Sequence, residues 1–107
     1  LAGVVAIVSD LMLSSRVSES LRASGHDVTV LARLSSPADL PPGTDAVVCD
    51  LEVAELGVVA ALDVPVLGFY SHVDAETRQL ALDAGLDKVV PRSRMARDLP
   101  GLVAAML

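Results

Sequence analysis

A chain of 107 residues, 52% of them hydrophobic, has room for one core and not for two. Its net charge of −6 argues against direct nucleic-acid binding by the domain as a whole, because phosphate affinity comes from lysines and arginines. No apolar stretch approaches the ~18 residues needed to cross a bilayer, and the start lacks the basic-then-apolar order of a secretory leader, so the expectation is a cytoplasmic domain with no membrane part.

One Tyr, one Phe and no Trp leave the core to Val, Leu and Ala, a composition suited to buried parallel strands covered by helices. Gly3 to Val8 is nearly all apolar and predicts a central first strand. Leu13, Val17 and Leu21 then recur at helical spacing, with Ser14 or Ser15 as a cap and Gly25 as a stop. Val28, Thr29 and Val30 make Asp27 to Leu31 a short second strand, nearer an edge. Three prolines and a glycine between Ala32 and Thr44 leave room for one helical turn at most, around Pro37 to Leu40. Ala46 to Cys49 is a third strand, and Val53 to Leu62 a helix in spite of Gly57. Pro65 opens a fourth strand. Asp74 is placed to cap a helix through Ala84, with Glu76 in its first turn and Gly85 to end it. Lys88 to Val90 gives a fifth strand, and Asp98 a cap for a last short helix from Leu99 to Leu107, where Pro100 falls in the tolerant first turn. The fold class is α/β: a single five-stranded parallel sheet with helices on both faces, right-handed crossovers, and a second helix that is short or absent.

Four of these apolar runs deliver polar groups at the same end. Val4-Val5-Ala6-Ile7-Val8 leads into Ser9-Asp10, Ala46 to Cys49 into Asp50, Val66 to Tyr70 into Ser71-His72, and Val89-Val90 into Pro91-Arg92. In an open parallel sheet those groups meet at the carboxyl rim, where such folds keep their chemistry. Each residue also has a purely structural reading. Asp10 can cap the first helix, Asp50 can bond to amides of the following turn, and Ser71 can be a turn hydroxyl. Asp50 carries the functional reading furthest, since a strand-end carboxylate is costly unless used or paired. Cys49 reads as a small buried hydrophobe, with no basic neighbour to make it reactive, and neither histidine has a partner at metal-ligand spacing. Lys88, Arg92, Arg94 and Arg97 form one basic stretch in an acidic chain, read first as a solvated surface.

The succession of elements and the strand-end residues resemble the receiver domain of bacterial two-component response regulators, over essentially all of residues 1–107. The resemblance implies a flavodoxin-like fold, phosphorelay signalling, Mg²⁺ at the rim and no enzymatic activity beyond self-phosphorylation and dephosphorylation. Carried over position by position, Asp50 matches the phosphoryl acceptor and the backbone carbonyl of Glu52 the main-chain metal ligand. Ser71 matches the phosphoryl-contacting hydroxyl, and Arg92 stands at the family's Gly-to-Lys spacing from Gly85. Asp10 supplies one carboxylate where the family has two, which weakens the metal set of Asp10, Asp50 and Glu52, and a one-residue deletion in that loop would restore its match. His72 replaces a small residue and crowds the phosphoryl pocket. Arg92 keeps a positive charge but not an ammonium's size or geometry, and Pro91 precedes it where the family has a proline after its lysine.

Two readings follow. In one, the chain is a pseudo-receiver, a protein-interaction module with a degenerate acceptor pocket and weak or absent Mg²⁺, because three departures fall in one pocket. In the other it is a working receiver, phosphorylated on Asp50 by a sensor kinase in a Mg²⁺-dependent reaction. Either implies signalling partners. The face built from the helix ending at Ala84 and the last helix, the family's fourth and fifth, is the candidate surface for an acidic partner or a second copy of the chain. An attached output domain is compatible with the sequence. A nucleotide or flavin module of the same fold class has no support beyond the fold, since Ser9-Asp10-Leu11-Met12 stands where a glycine-rich phosphate loop would be.

Overall fold

The computed structural model describes residues 2–71 and 75–107. Five strands form one parallel sheet: β1 (Gly3–Ile7), β2 (Asp27–Leu31), β3 (Ala46–Asp50), β4 (Val66–Tyr70) and β5 (Lys88–Pro91), in the spatial order β2-β1-β3-β4-β5. Four helices connect or follow them: α1 (Leu11–Ala23), α2 (Leu56–Ala60), α3 (Ala75–Asp83) and α4 (Arg92–Met106).

Alternation along the strands divides the core. Val4, Ala6, Val48, Leu67, Phe69 and Val90 point to one face, where Leu13, Val17 and Leu21 of α1 and Met95, Leu99, Leu102 and Val103 of α4 cover them. Val5, Ile7, Val47, Cys49, Val66, Tyr70 and Val89 point to the other, under Val59 of α2, Ala81 of α3, and Leu34 and Leu86 from loops. The crossover from β2 to β3 holds only a single 3-10 turn, Pro37–Asp39, started by the Ser36 hydroxyl accepting from Ala38 N–H. Pro37, Pro41 and Pro42 leave no run of N–H donors long enough for more. Gly25, Gly43 and Gly85 take positive φ, and Gly25 and Gly85 thereby turn the chain out of α1 and α3.

Three helix boundaries differ from the sequence expectation. α1 is capped by Asp10, whose Oδ1 accepts the Leu13 N–H at 2.9 Å, rather than by Ser14 or Ser15. Those serines lie within the helix, and the buried hydroxyls of Ser14 and Ser18 return to the carbonyls of Leu11 and Ser14. α2 is much shorter than Val53 to Leu62, because a turn bonded to the Asp50 carbonyl occupies Val53 and Ala54. α4 begins at Arg92, seven residues before the predicted Leu99, and Asp98 caps nothing. Met95 and Leu99 are each 1% exposed. Burying such a side chain is worth about 1.5–3 kcal/mol, enough for the pair to offset the ~3 kcal/mol of the interior proline, Pro100. The predicted cap Asp74 lies outside the described residues.

Candidate functional site at the carboxyl rim

All five strands run parallel, so the residues that follow them collect at one end of the sheet. Asp50 is the last residue of β3, paired in register with Phe69 of β4 and only partly buried. Its Oδ1 accepts the Glu52 N–H at 2.9 Å, while its carbonyl accepts from Val53 and Ala54, so the chain turns sharply just past the carboxylate. Glu52 is exposed, and its carboxylate accepts the hydroxyl of Ser71, which follows β4. Asp10 follows β1 and Arg92 opens α4.

The electrostatics tie these groups together. Burial pushes the Asp50 carboxyl above its ordinary range. The Glu52 N–H opposes that shift, the Glu52 carboxylate adds to it, Arg92 opposes it and Asp10 adds to it. Burial, helped by the Asp50 charge, pushes the neighbouring Cys49 thiol up to about 12, which leaves it protonated and unreactive.

The structure thus brings Glu52, Arg92 and Asp10 within electrostatic reach of Asp50 and links Ser71 to Glu52. His72 lies outside the described residues. The side chain of Glu52 was missed in the sequence, where only its carbonyl was given a role. The signal available was the Asp50-x-Glu52 spacing in a turn, which places two carboxylates side by side.

Among the described residues no three His, Cys, Asp or Glu side chains come together as a ligand set. Asp10 is turned onto the end of α1, Asp50 onto the Glu52 N–H, and Glu52 onto Ser71.

The basic stretch divides between two sides of α4. Arg92, Met95, Ala96 and Leu99 fall on one side of the helix and turn toward α1. Arg94 and Arg97 fall on the other, about half a turn of the helix away. With Lys88 of β5 they border a shallow depression of about 530 Å³ over Gly101 and Ala105. Arg94 and Arg97 both approach Asp98, at 3.9 and 3.4 Å, in exposed pairs that contribute little and leave a positive excess.

Known structures share this fold. The receiver domain of ChxR from Chlamydia trachomatis superposes with a TM-score of 0.74 at 20% identity, covering 97% of this chain and 94% of that one. The non-phosphorylated HemR receiver domain from Leptospira biflexa gives 0.80 at 18%, covering 99% and 94%. The receiver domain of NtrX from Brucella abortus gives 0.82 at 16%, covering 97% of each. No protein-family model and no curated protein matches the chain. At these identities the likeness is one of fold: the chain has the flavodoxin-like fold of response-regulator receiver domains.

Proposed function

We propose that this chain is a receiver-like signalling module of the pseudo-receiver kind, which acts by binding other proteins and has a degenerate phosphoryl-acceptor pocket. The observation that carries this reading is the bond from Ser71 to the Glu52 carboxylate beside Asp50. A phosphoryl group arriving at Asp50 needs a hydroxyl and a cation turned toward it and a counter-charge to offset its own. Here the hydroxyl is donated to a carboxylate, the cation is the bulkier Arg92, and Asp10, Glu52 and Asp50 are all negative.

Asp10, Asp50 and the Glu52 carbonyl would offer Mg²⁺ at most a weak, water-rich site. No turnover chemistry is assigned beyond the self-phosphorylation and dephosphorylation of a working receiver. The contact surface in this reading is the outer side of α4 with β5 and α3, where Lys88, Arg94 and Arg97 favour an acidic signalling partner or the acidic surface of a second copy. No helix among the described residues is long and apolar enough to cross a membrane.

The test is intact mass after incubation with acetyl phosphate and Mg²⁺, with Asp50→Asn beside it. No adduct, under conditions that modify an ordinary receiver, is the expected result. One phosphoryl group on the parent and none on the variant would instead establish Asp50 as an acceptor and the chain as a working receiver.

A further inference from the structure

Between α1 and α4 lies a groove of about 310 Å³ that neither reading of the acceptor pocket uses. Its floor is the nearly buried Leu13 and Val17 of α1 and Met95 and Leu99 of α4, its solvent-facing apolar side chains are Met12 and Ala96, and Arg16 and Arg92 stand beside them. Helical periodicity places them so: Leu13, Arg16 and Val17 lie on one face of α1, and Arg92, Met95 and Leu99 on the facing side of α4.

The two arginines are the informative feature. The chain has 14 acidic residues against 8 Lys and Arg, so a surface guanidinium has carboxylates in excess to choose from. Arg22, Arg33, Arg94 and Arg97 each find an acceptor within the chain. Arg16 and Arg92, like Arg78 and Lys88, make no hydrogen bond or ion pair with any described residue, apart from the longer-range attraction of Arg92 for Asp50, and of these four only Arg16 and Arg92 border the groove. Asp10 also borders the groove, but its carboxylate is turned onto the Leu13 N–H. Two guanidinium groups with no hydrogen-bond or ion-pair partner among the described residues therefore flank one groove. Its volume falls at the lower end of the roughly 300–1,000 Å³ typical of small-molecule sites, and no aromatic side chain lines it to stack on a ring.

We propose that this groove binds a small amphipathic anion, a carboxylate or phosphate monoester on a short aliphatic body. The head group sits on Arg16 and Arg92, and the tail lies against Met12 and Ala96, over the floor of Leu13, Val17, Met95 and Leu99. Guanidinium groups suit both kinds of oxyanion, and the apolar walls supply the remaining affinity. Because Arg92 is also the cation facing Asp50, an anion held there withdraws positive charge from the rim, which couples the groove to the state of Asp50. The proposal goes beyond the preceding reading and stands whether or not Asp50 accepts a phosphoryl group.

The test is a two-dimensional amide NMR titration of the whole chain with hexyl phosphate and with hexanoate, using 1-hexanol and inorganic phosphate as the head-less and tail-less controls. Saturable shifts concentrated in α1 and α4 are expected for at least one of the two anions, with each control at least tenfold weaker. Whichever anion saturates first identifies the head group. The double substitution Arg16→Gln and Arg92→Gln, with a folded spectrum retained, is expected to weaken binding at least tenfold. Ala96→Leu, which fills the groove without touching a charge, is expected to do the same. The absence of saturable shifts, 1-hexanol binding as tightly as the anions, or unchanged affinity in both variants would each overturn the proposal.

Discussion

Pro100 lies deep inside α4, and replacing it with alanine tests the geometry on which the rim and the groove both depend. Proline has no N–H for the Ala96 carbonyl and its ring crowds that carbonyl, a cost of about 3 kcal/mol relative to alanine in a helix interior. Alanine also frees the unfolded chain, which takes back about 0.4–1 kcal/mol. Trimming the partly buried ring gives up a further ~1 kcal/mol of apolar burial. The balance is a stabilisation of about 1–2 kcal/mol for Pro100→Ala, or a rise in Tm of roughly 4–15 °C for a domain of about this size. Urea denaturation and a thermal melt followed by circular dichroism at 222 nm measure it. An unchanged or less stable variant would refute the reasoning. A helix starting at Asp98 would put Pro100 in the first turn, where it costs little and restrains the unfolded chain. In that case Arg92, Met95 and Leu99 would not share a face.

Three further outcomes are expected. Asp10→Ala removes the cap of α1 and should cost about 0.5–2 kcal/mol in urea denaturation, while carboxyl NMR shows Asp50 titrating lower for loss of a neighbouring charge. Asp50 binds its proton more tightly folded than unfolded, so its contribution to stability is lost as pH rises from the ordinary carboxylate range through its raised value. Asp50→Asn, which keeps an oxygen for the Glu52 N–H, should therefore be more stable than the parent at pH 7, the gap closing as the pH is lowered; equal denaturation midpoints at pH 7 would count against the shift. Gly68→Ala would place a Cβ 2.8 Å from Leu51 Cδ2 and 2.9 Å from Leu86 Cδ2. Such overpacking costs about 1–3 kcal/mol, and because Leu51 follows Asp50 the amide shifts of Asp50 and Glu52 should move with it.

Much of the fold was legible in the sequence because its signals are local. The three central strands are short apolar runs closed by polar residues, and the prolines between Ala32 and Thr44 forbade a crossover helix that the structure also lacks. The errors fell where a local signal had a rival. Ser14 and Ser15 looked like caps, but Asp10 reaches the free N–H of Leu13 from outside the helix. Asp98 and Pro100 form a convincing helix start, yet burial of Met95 against the sheet extends α4 back to Arg92. That difference moved Arg92 from the end of a strand to the end of a helix.

The order of elements, the parallel sheet and the set of residues at or just past the strand ends, Asp10, Asp50, Ser71 and Arg92, were determined by sequence alone, since hydrophobic periodicity and turn residues act over a few positions. Which of those side chains face one another was decided only by the tertiary structure. The partnership of Ser71 with Glu52, the opposite aims of Arg92 and Arg94, and the meeting of Arg16 with Arg92 across a groove all join residues that are distant in the chain or on different sides of one helix. Their positions follow from strand order and from how each helix rotates to bury its apolar face, and no local run of residues encodes either.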